Sequence, residues 1–343
     1  MKILVTGGTG FIGSHIVKQL VKLKHDVTVC CRKTSPLKFL PLKKIKICHA
    51  DIRDYAQVKK ITSGFDIIYH TAALASDWGR KSDFFKTNVE GTENILKAGF
   101  NNGINNFILL SSCAVLGEED QLSPKDELSP YNPRQSYPLS FLLESNMNYY
   151  RISKTLAETE ATNFCRDKAV NLTIIRAPWV YGPREFHAGP YIFSKAVQEG
   201  YAIMPFNGNK LFHLVYVEDL AKNMASLAEK MPKGTNIFII ADNKPLILKE
   251  FLGSFCSALK LKLPYSLPEI FFMPVGIFLE FLYKALKINK SPFLNRARVK
   301  IYYCNNVYNN TKAQQLLNLA PQTPVYHAVQ KTVRWWRQNG FLR

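Results

Sequence analysis

Acidic residues are scarce in this chain of 343 residues: 26 Asp and Glu stand against 45 Lys and Arg, leaving a formal charge of +19. Such a deficit admits nucleic acid, an anionic membrane surface or anionic ligands as partners. The lysines are spread along the chain rather than gathered in a tail or one helix, and no nucleic-acid-binding module is present, so nucleic acid is not expected. Cysteine follows no pattern. Cys30, Cys31, Cys48, Cys113, Cys165, Cys256 and Cys304 form no CxxC and no regular framework, which argues against a disulfide scaffold and for reduced, mostly buried thiols. The histidines offer no HxxxH spacing, and no metal is expected. There is no charged-then-apolar leader with a small-residue cleavage site, because a strand-like run begins at once; a cytoplasmic location is expected. Internal repeats and low-complexity segments are also missing. So is any uninterrupted apolar run of bilayer-spanning length. The most apolar stretch, 264–288, is interrupted by Glu269, Pro274, Glu280 and Lys284. It suits a lid or interfacial helix; a core helix of a smaller lobe is favoured over peripheral membrane contact, which stays open.

What is present points to a large globular chain. Hydrophobic residues make up 47% and charged residues 21%, and the length suggests one and a half to two domains. The apolar run Met1–Thr6 breaks into Gly7-Gly8-Thr9-Gly10-Phe11-Ile12-Gly13, and a helix-like segment, Ser14–Leu23, follows. Strand, glycine turn and helix N-terminus in that order aim free N–H groups and the positive end of a helix dipole at one point, which suits a pyrophosphate. Further strand-like runs lie at Asp26–Cys31, Ile45–Cys48, Asp66–His70, Asn106–Ser111, Asn171–Arg176 and Asn236–Ile240. Helical segments fall between them at Tyr55–Ser63, Lys81–Asn101 and Asn148–Asp167. This alternation predicts an α/β fold, a Rossmann-type doubly wound parallel sheet. Residues 1–177 would form the nucleotide-binding domain, with 216–241 returning to it. Residues 178–215 and 242–343 would form a smaller, discontinuous substrate-binding lobe.

Two further features carry chemistry. In Tyr150-Arg151-Ile152-Ser153-Lys154 the spacing of four puts Tyr150 and Lys154 on one helix face. A nearby ammonium favours the phenolate, so the tyrosine pKa is expected to fall, and such a tyrosine can exchange a proton with an alcohol or carbonyl oxygen. Tyr149 has Ser153 as its fourth neighbour, so the spacing selects Tyr150. The buried run Phe107–Leu110 ends in Ser111-Ser112, at the strand end that faces the ligand crevice of open α/β sheets, where a hydroxyl can bond the reacting oxygen.

Taken together, the motifs Gly7-x-x-Gly10-x-x-Gly13, Asp51-Ile52-Arg53-Asp54, His70-Thr71-Ala72-Ala73, Asn88-Val89-Glu90-Gly91-Thr92, Ser111-Ser112, Tyr150-x-x-x-Lys154, Tyr181-Gly182-Pro183-Arg184 and Val215–Ala221 occur in this order. Over nearly its whole length the chain resembles the extended short-chain dehydrogenases/reductases of the NAD-dependent epimerase/dehydratase superfamily. The resemblance implies that Gly7, Gly10, Phe11, Ile12 and Gly13 cradle the pyrophosphate and that Asp51 and Ile52 flank the adenine. It further implies that Thr71, Ala72 and Ala73 line the cofactor path beside Asn88, and that Pro178 and Val180 approach the nicotinamide. Ser112, Tyr150 and Lys154 would be the catalytic trio, with Lys154 also holding the nicotinamide ribose. A homodimer packed through Lys81–Asn101 and Asn148–Asp167 is usual in the family.

Departures from the pattern matter. NAD-preferring members end the second strand with an acid that binds the ribose 2′-hydroxyl, whereas this chain has Cys31 followed by Arg32 and Lys33. Two cations without a carboxylate lean toward NADP, with NAD as the other possibility. Tyr216 stands where histidine is common, and Asp219 reads as a helix-terminal or fold-stabilising residue. The arginine-containing diphosphate-binding stretch of sugar-nucleotide enzymes is absent, and Cys113-Ala114 stand where dehydratases carry Asp-Glu. The carboxy-terminal pattern is similar to 3-beta-hydroxysteroid dehydrogenases, sterol-4-carboxylate dehydrogenases and dihydroflavonol reductases. The expectation is a dehydrogenase or reductase acting on a secondary alcohol or ketone of a small, lipophilic substrate. An NAD-dependent sugar-nucleotide epimerase and a non-catalytic cofactor-binding regulator are the alternatives.

Overall fold

The computed structural model describes residues 1–117, 120, 123–186, 189–204, 209–319 and 322–343. The first half alternates β1 (Lys2–Thr6), α1 (Phe11–Lys22), β2 (Asp26–Cys31), β3 (Lys46–His49), α2 (Tyr55–Ile61) and β4 (Ile67–His70). It continues through α3 (Lys81–Phe84), a π-helical turn (Phe85–Glu90), α4 (Gly91–Asn101), β5 (Asn106–Ser112), α5 (Asn146–Asp167) and β6 (Asn171–Ala177). Then come β7 (Trp179–Tyr181), α6 (Gly189–Gln198), β8 (Leu211–Phe212), β9 (Leu214–Tyr216), α7 (Val217–Ser226), β10 (Thr235–Ile239) and β11 (Leu246–Ile247). Five helices complete the chain: α8 (Leu248–Leu259), α9 (Glu269–Ala285), α10 (Arg296–Tyr302), α11 (Thr311–Leu317) and α12 (Val325–Gln338).

Seven strands form one sheet in the order β10-β6-β5-β4-β1-β2-β3, and every pairing within it is parallel. The order reverses between β1 and β4, the switch point beside which open sheets bind ligands. Alternation along β1 divides the core. Ile3 and Val5 pack with Ile16, Val17 and Leu20 of α1 and with Leu220 and Met224 of α7. Leu4 faces the opposite layer, with Val58, Ile95, Leu96 and Ala161 from α2, α4 and α5. A separate aromatic cluster, including Phe212, Tyr216, Phe251, Phe255 and Trp336, holds α8 and α12 against β8 and β9. Within it the Trp336 indole donates to the Glu185 carbonyl at 2.7 Å.

Most expected elements are found with ends shifted by one to three residues. The first helix begins at Phe11 rather than Ser14, so Gly13 lies inside its first turn. The single helix expected over Lys81–Asn101 is instead α3, the π turn and α4. A local change of hydrogen-bond register leaves no clear trace in apolar spacing. A second correction concerns 264–288. The expected core helix is not buried: of α9 only Gly276 and Glu280 are. No helix among the described residues is long and apolar enough to cross a membrane. All seven cysteines are free. Asp219, in the first turn of α7, accepts from the Thr323 amide at 2.7 Å and the Thr323 hydroxyl at 3.0 Å, tying the carboxy-terminal segment to the sheet domain.

Candidate active site

The glycine turn owes its shape to close approach. Gly7 has φ +71°, and a Cβ there would lie 2.5 Å from the Ala72 nitrogen. A Cβ on Gly13 would lie 2.3 Å from the Gly7 carbonyl oxygen and 2.7 Å from the Thr71 hydroxyl. Neither can be accommodated, so strand, turn and helix meet at van der Waals limits. Gly10 caps α1 without a side-chain hydrogen bond, and no acidic residue occupies the first turn. The N-terminal N–H groups of α1 therefore keep their capacity for an anion. This cradle fits a dinucleotide pyrophosphate, with Gly7, Gly10, Phe11, Ile12 and Gly13 as the residues that would hold it. Opposite, Thr71 donates from its amide to the Thr6 carbonyl at 3.1 Å and from its hydroxyl at 2.6 Å. Ala72 and exposed Ala73 continue past the strand end.

A buried polar chain, missed in the sequence, connects this turn to the Tyr150 helix. The Thr6 hydroxyl bonds His70 Nδ1 at 2.7 Å, and His70 Nε2 bonds the Thr92 hydroxyl at 3.1 Å. Thr92 donates to the Asn88 carbonyl at 2.6 Å, so it must accept from His70, which assigns the proton to Nε2. Burial pushes the His70 imidazole down to about 3, keeping it neutral. Asn88 sits in the π turn. It binds the backbone of Leu74 through both ends of its amide, at 2.7 and 3.1 Å, and donates to the Ser153 hydroxyl at 2.9 Å. Ser153 in turn donates to the Tyr150 carbonyl at 2.8 Å. Asn88 thus holds the loop after β4 and the middle of α5 at once.

Ser112, Tyr150 and Lys154 come together beside the carboxyl end of β5. The Ser112 hydroxyl accepts from the Ala114 amide at 3.1 Å and is hydrogen-bonded to Tyr150. The Lys154 ammonium donates to the Leu110 carbonyl at 2.8 Å, two residues before Ser112. One turn further along, Glu158 is locked to Arg176 of β6 at 2.8 Å, the two side chains being 0% and 2% exposed. Glu158 also accepts from the Tyr131 hydroxyl at 3.0 Å. Burial lowers the Lys154 pKa to about 8, against a smaller upward pull from Glu158. The expected fall in the Tyr150 pKa is not seen. Burial raises it, and the Ser112 hydrogen bond only partly opposes that. The physical reason is that the phenol lies where its charged form loses hydration, while Lys154 is engaged with Leu110.

The remaining residues are less uniform. Arg32 and Lys33 are exposed just past β2. Asp51 is held in a fork by Arg53 at 2.6 to 3.1 Å, and that hydrogen bonding keeps its carboxyl below the usual range. Ile52 is only 8% exposed and packs in the sheet core, leaving little of its side chain for an adenine. Pro178 and Val180 follow the end of β6, where Val180 pairs with Val215. Arg184, named in the sequence as part of a motif but given no role, reaches the glycine turn from the far side. It has φ 76°, donates to the Thr9 carbonyl at 3.2 Å and stacks over Phe39. Burial lowers its pKa to about 10.

Comparison with known proteins gives this geometry a context. A model described as the NAD dependent epimerase/dehydratase family matches residues 3–241. A 3beta-hydroxysteroid-dehydrogenase/decarboxylase (isoform 2) of Arabidopsis thaliana is 24% identical over 96% of this chain, which spans 61% of that protein's length. A 2-alkyl-3-oxoalkanoate reductase of Shewanella oneidensis is 24% identical over 91% of this chain and 80% of its own. The structure of DesIV, a dTDP-glucose 4,6-dehydratase from Streptomyces venezuelae with NAD and TYD bound, superposes with a TM-score of 0.79. It shares 22% identity and covers 100% of this chain and 99% of that one, a likeness of fold.

Proposed function

The chain belongs to the NAD dependent epimerase/dehydratase family, and from that premise we propose an NAD(P)-dependent oxidoreductase that interconverts a secondary alcohol and a ketone. The carrying observation is the grouping of Ser112, Tyr150 and Lys154 beside the carboxyl end of β5, with β4 between that strand and β1, which leads into the uncapped start of α1. A bound nicotinamide would supply or accept the hydride. Tyr150 would exchange the proton with the substrate oxygen, Ser112 would hold that oxygen, and Lys154 would sustain the local positive potential. We assign residues 1–177 and 216–241 to the cofactor and residues 178–215 and 242–343 to the substrate.

NADP is the favoured cofactor within this proposal. Arg32 and Lys33 are free to meet a 2′-phosphate, and Asp51, the carboxylate that would oppose it, is already occupied by Arg53. A small lipophilic substrate, sterol-, flavonoid- or beta-keto-like, fits the apolar carboxy-terminal elements and the activities named for the Arabidopsis and Shewanella relatives. The free cysteines suit a reducing compartment such as the cytoplasm. A homodimer packed through the helical run 81–101 and α5 belongs to the same proposal.

The test is fluorescence titration with NADPH and NADH, then a ketone and alcohol panel with wild type and Tyr150→Phe. NADPH is expected to bind at least tenfold tighter. Tyr150→Phe should keep nucleotide binding and lose 10² to 10⁴ in turnover, the range of a general acid–base group. Absence of nucleotide binding, or unchanged turnover in the variant, would overturn the reading. Tightly held NAD with conversion of a UDP-sugar and no net redox would replace it by the epimerase. Nucleotide binding without any turnover would favour a regulator.

A further inference from the structure

Helix α9 is built inside out. Its two buried residues are Gly276 and Glu280, and a Cβ on Gly276 would lie 3.2 Å from the Asn295 carbonyl carbon. The closely packed side thus faces the protein. The opposite arc carries only apolar side chains: Ile270, Phe271, Val275, Phe278, Leu282 and Leu286 are exposed, Ile270 by 73% and Phe278 by 63%. At 100° per residue, these six fall within less than half of the helix circumference. Beside them Phe141 is 83% and Leu142 64% exposed, and a groove of about 600 Å³ runs between Leu139 and α9, lined by Met273, Ile277 and Phe281 among others. Contiguous exposed apolar surface of this kind marks an interaction site.

The orientation is enforced rather than loose. Glu280 pairs with Arg296 at 2.8 Å, with side chains 2% and 0% exposed. Arg296 also donates to the carbonyls of Pro138 and Leu143, both at 2.6 Å, and Lys284 donates to the Glu144 carbonyl at 2.6 Å. Rolling the apolar arc inward would strand these charges.

Charge identifies the occupant. Lys260 and Lys262 precede the helix, Lys287 and Lys290 follow it, and all four are exposed. Within 260–290 the only carboxylates are half-buried Glu269 and buried Glu280. A second copy laid on this face would set lysines against lysines. An anionic bilayer offers both hydrocarbon for the arc and negative headgroups for its flanks. We propose that α9, with the 139–142 loop, docks the protein on an anionic membrane surface, lying in the interface without spanning it. This does not rest on the redox reading, so vesicle binding and turnover can fail separately.

The test is cosedimentation with vesicles of phosphatidylcholine containing about a third phosphatidylglycerol, at low salt. Wild type should sediment, and binding should fall at least tenfold on pure phosphatidylcholine and in Phe271→Glu/Phe278→Glu. Reversing two flanking lysines, Lys287→Glu/Lys290→Glu, should cost tenfold or more, at roughly fivefold per charge removed near the surface. Unchanged far-UV circular dichroism and urea midpoints of these variants show that they are folded. No sedimentation of wild type, equal binding to both vesicle types, or undiminished binding of the phenylalanine variant would overturn the proposal. A solution dimer that the phenylalanine variant dissociates, without vesicle binding, would assign the face to a second copy.

Discussion

Helices α5 and α9 break the same rule in opposite directions. Soluble helices bury apolar residues and expose charge. In α5 the buried set includes Arg151, Lys154 and Glu158; in α9 the exposed set includes Ile270, Phe271 and Phe278. Both departures rest on one device, a fully buried Arg–Glu pair that joins the helix to a neighbour: Glu158 with Arg176, Glu280 with Arg296. Departures of this kind are expected where function outweighs packing. On α5 the buried charge lies beside Tyr150, the proposed acid–base group. On α9 the buried charge fixes which way the apolar arc points.

If the two pairs are equivalent, breaking either is the largest effect available. Glu158→Gln and Glu280→Gln each leave a buried guanidinium without its carboxylate, and each should cost about 3–5 kcal/mol. Urea melts measure the loss. They should also separate the helices: Glu158→Gln should shift the pH dependence of turnover through Lys154, while Glu280→Gln should loosen 138–144 and vesicle binding. Equal small losses below about 1 kcal/mol would mean that the pairs do not hold the helices in place.

Lys154 offers a smaller effect of opposite sign. Its pKa is lowered by burial to about 8 in the folded state, from an ordinary value of 10.5. Between those values the unfolded chain binds a proton that the folded chain does not, so stability from this residue rises as pH rises from 8 to 10.5. Below pH 8 the penalty is complete, up to about 3 kcal/mol. Lys154→Met should therefore be more stable than wild type at pH 7, by roughly 2 kcal/mol once the lost hydrogen bond to Leu110 is allowed for. The gain should vanish near pH 10.5, and turnover should be lost throughout. Denaturant midpoints at pH 7 and pH 10 decide it; a variant less stable than wild type at pH 7 would show that the lysine helps the fold.

What could be read beforehand follows from locality. The glycine turn, the strand–helix alternation and the four-residue step from Tyr150 to Lys154 are local patterns, and all have counterparts in the structure. The same step continued reaches Glu158, so that buried acid was within reach of sequence reasoning. The path Thr6–His70–Thr92–Asn88–Ser153 was not. Its members are ordinary polar residues from five elements, and only the parallel sheet order brings them into line. Asn88 also depends on a π turn that apolar periodicity does not signal. For 264–288 composition revealed an apolar helix but not its outward face; the clue was a lone Glu280 amid apolar residues, a sign that the polar side needed a partner inside.

The smallest expected effect is the sharpest contrast between the helices. Phe271→Ser and Phe278→Ser alter side chains that are 59% and 63% exposed, so little packing is lost and stability should stay within about 0.5 kcal/mol of wild type. Truncating a fully buried phenylalanine such as Phe255 to Ala should cost about 3–5 kcal/mol. Thermal melts of the three variants compare them directly. A loss of 2 kcal/mol or more at Phe271 or Phe278 would mean that the arc is covered in solution by the protein itself or by a second copy. A loss near zero leaves these phenylalanines with no role in the isolated fold, so the free energy of covering them is available to whatever surface α9 meets.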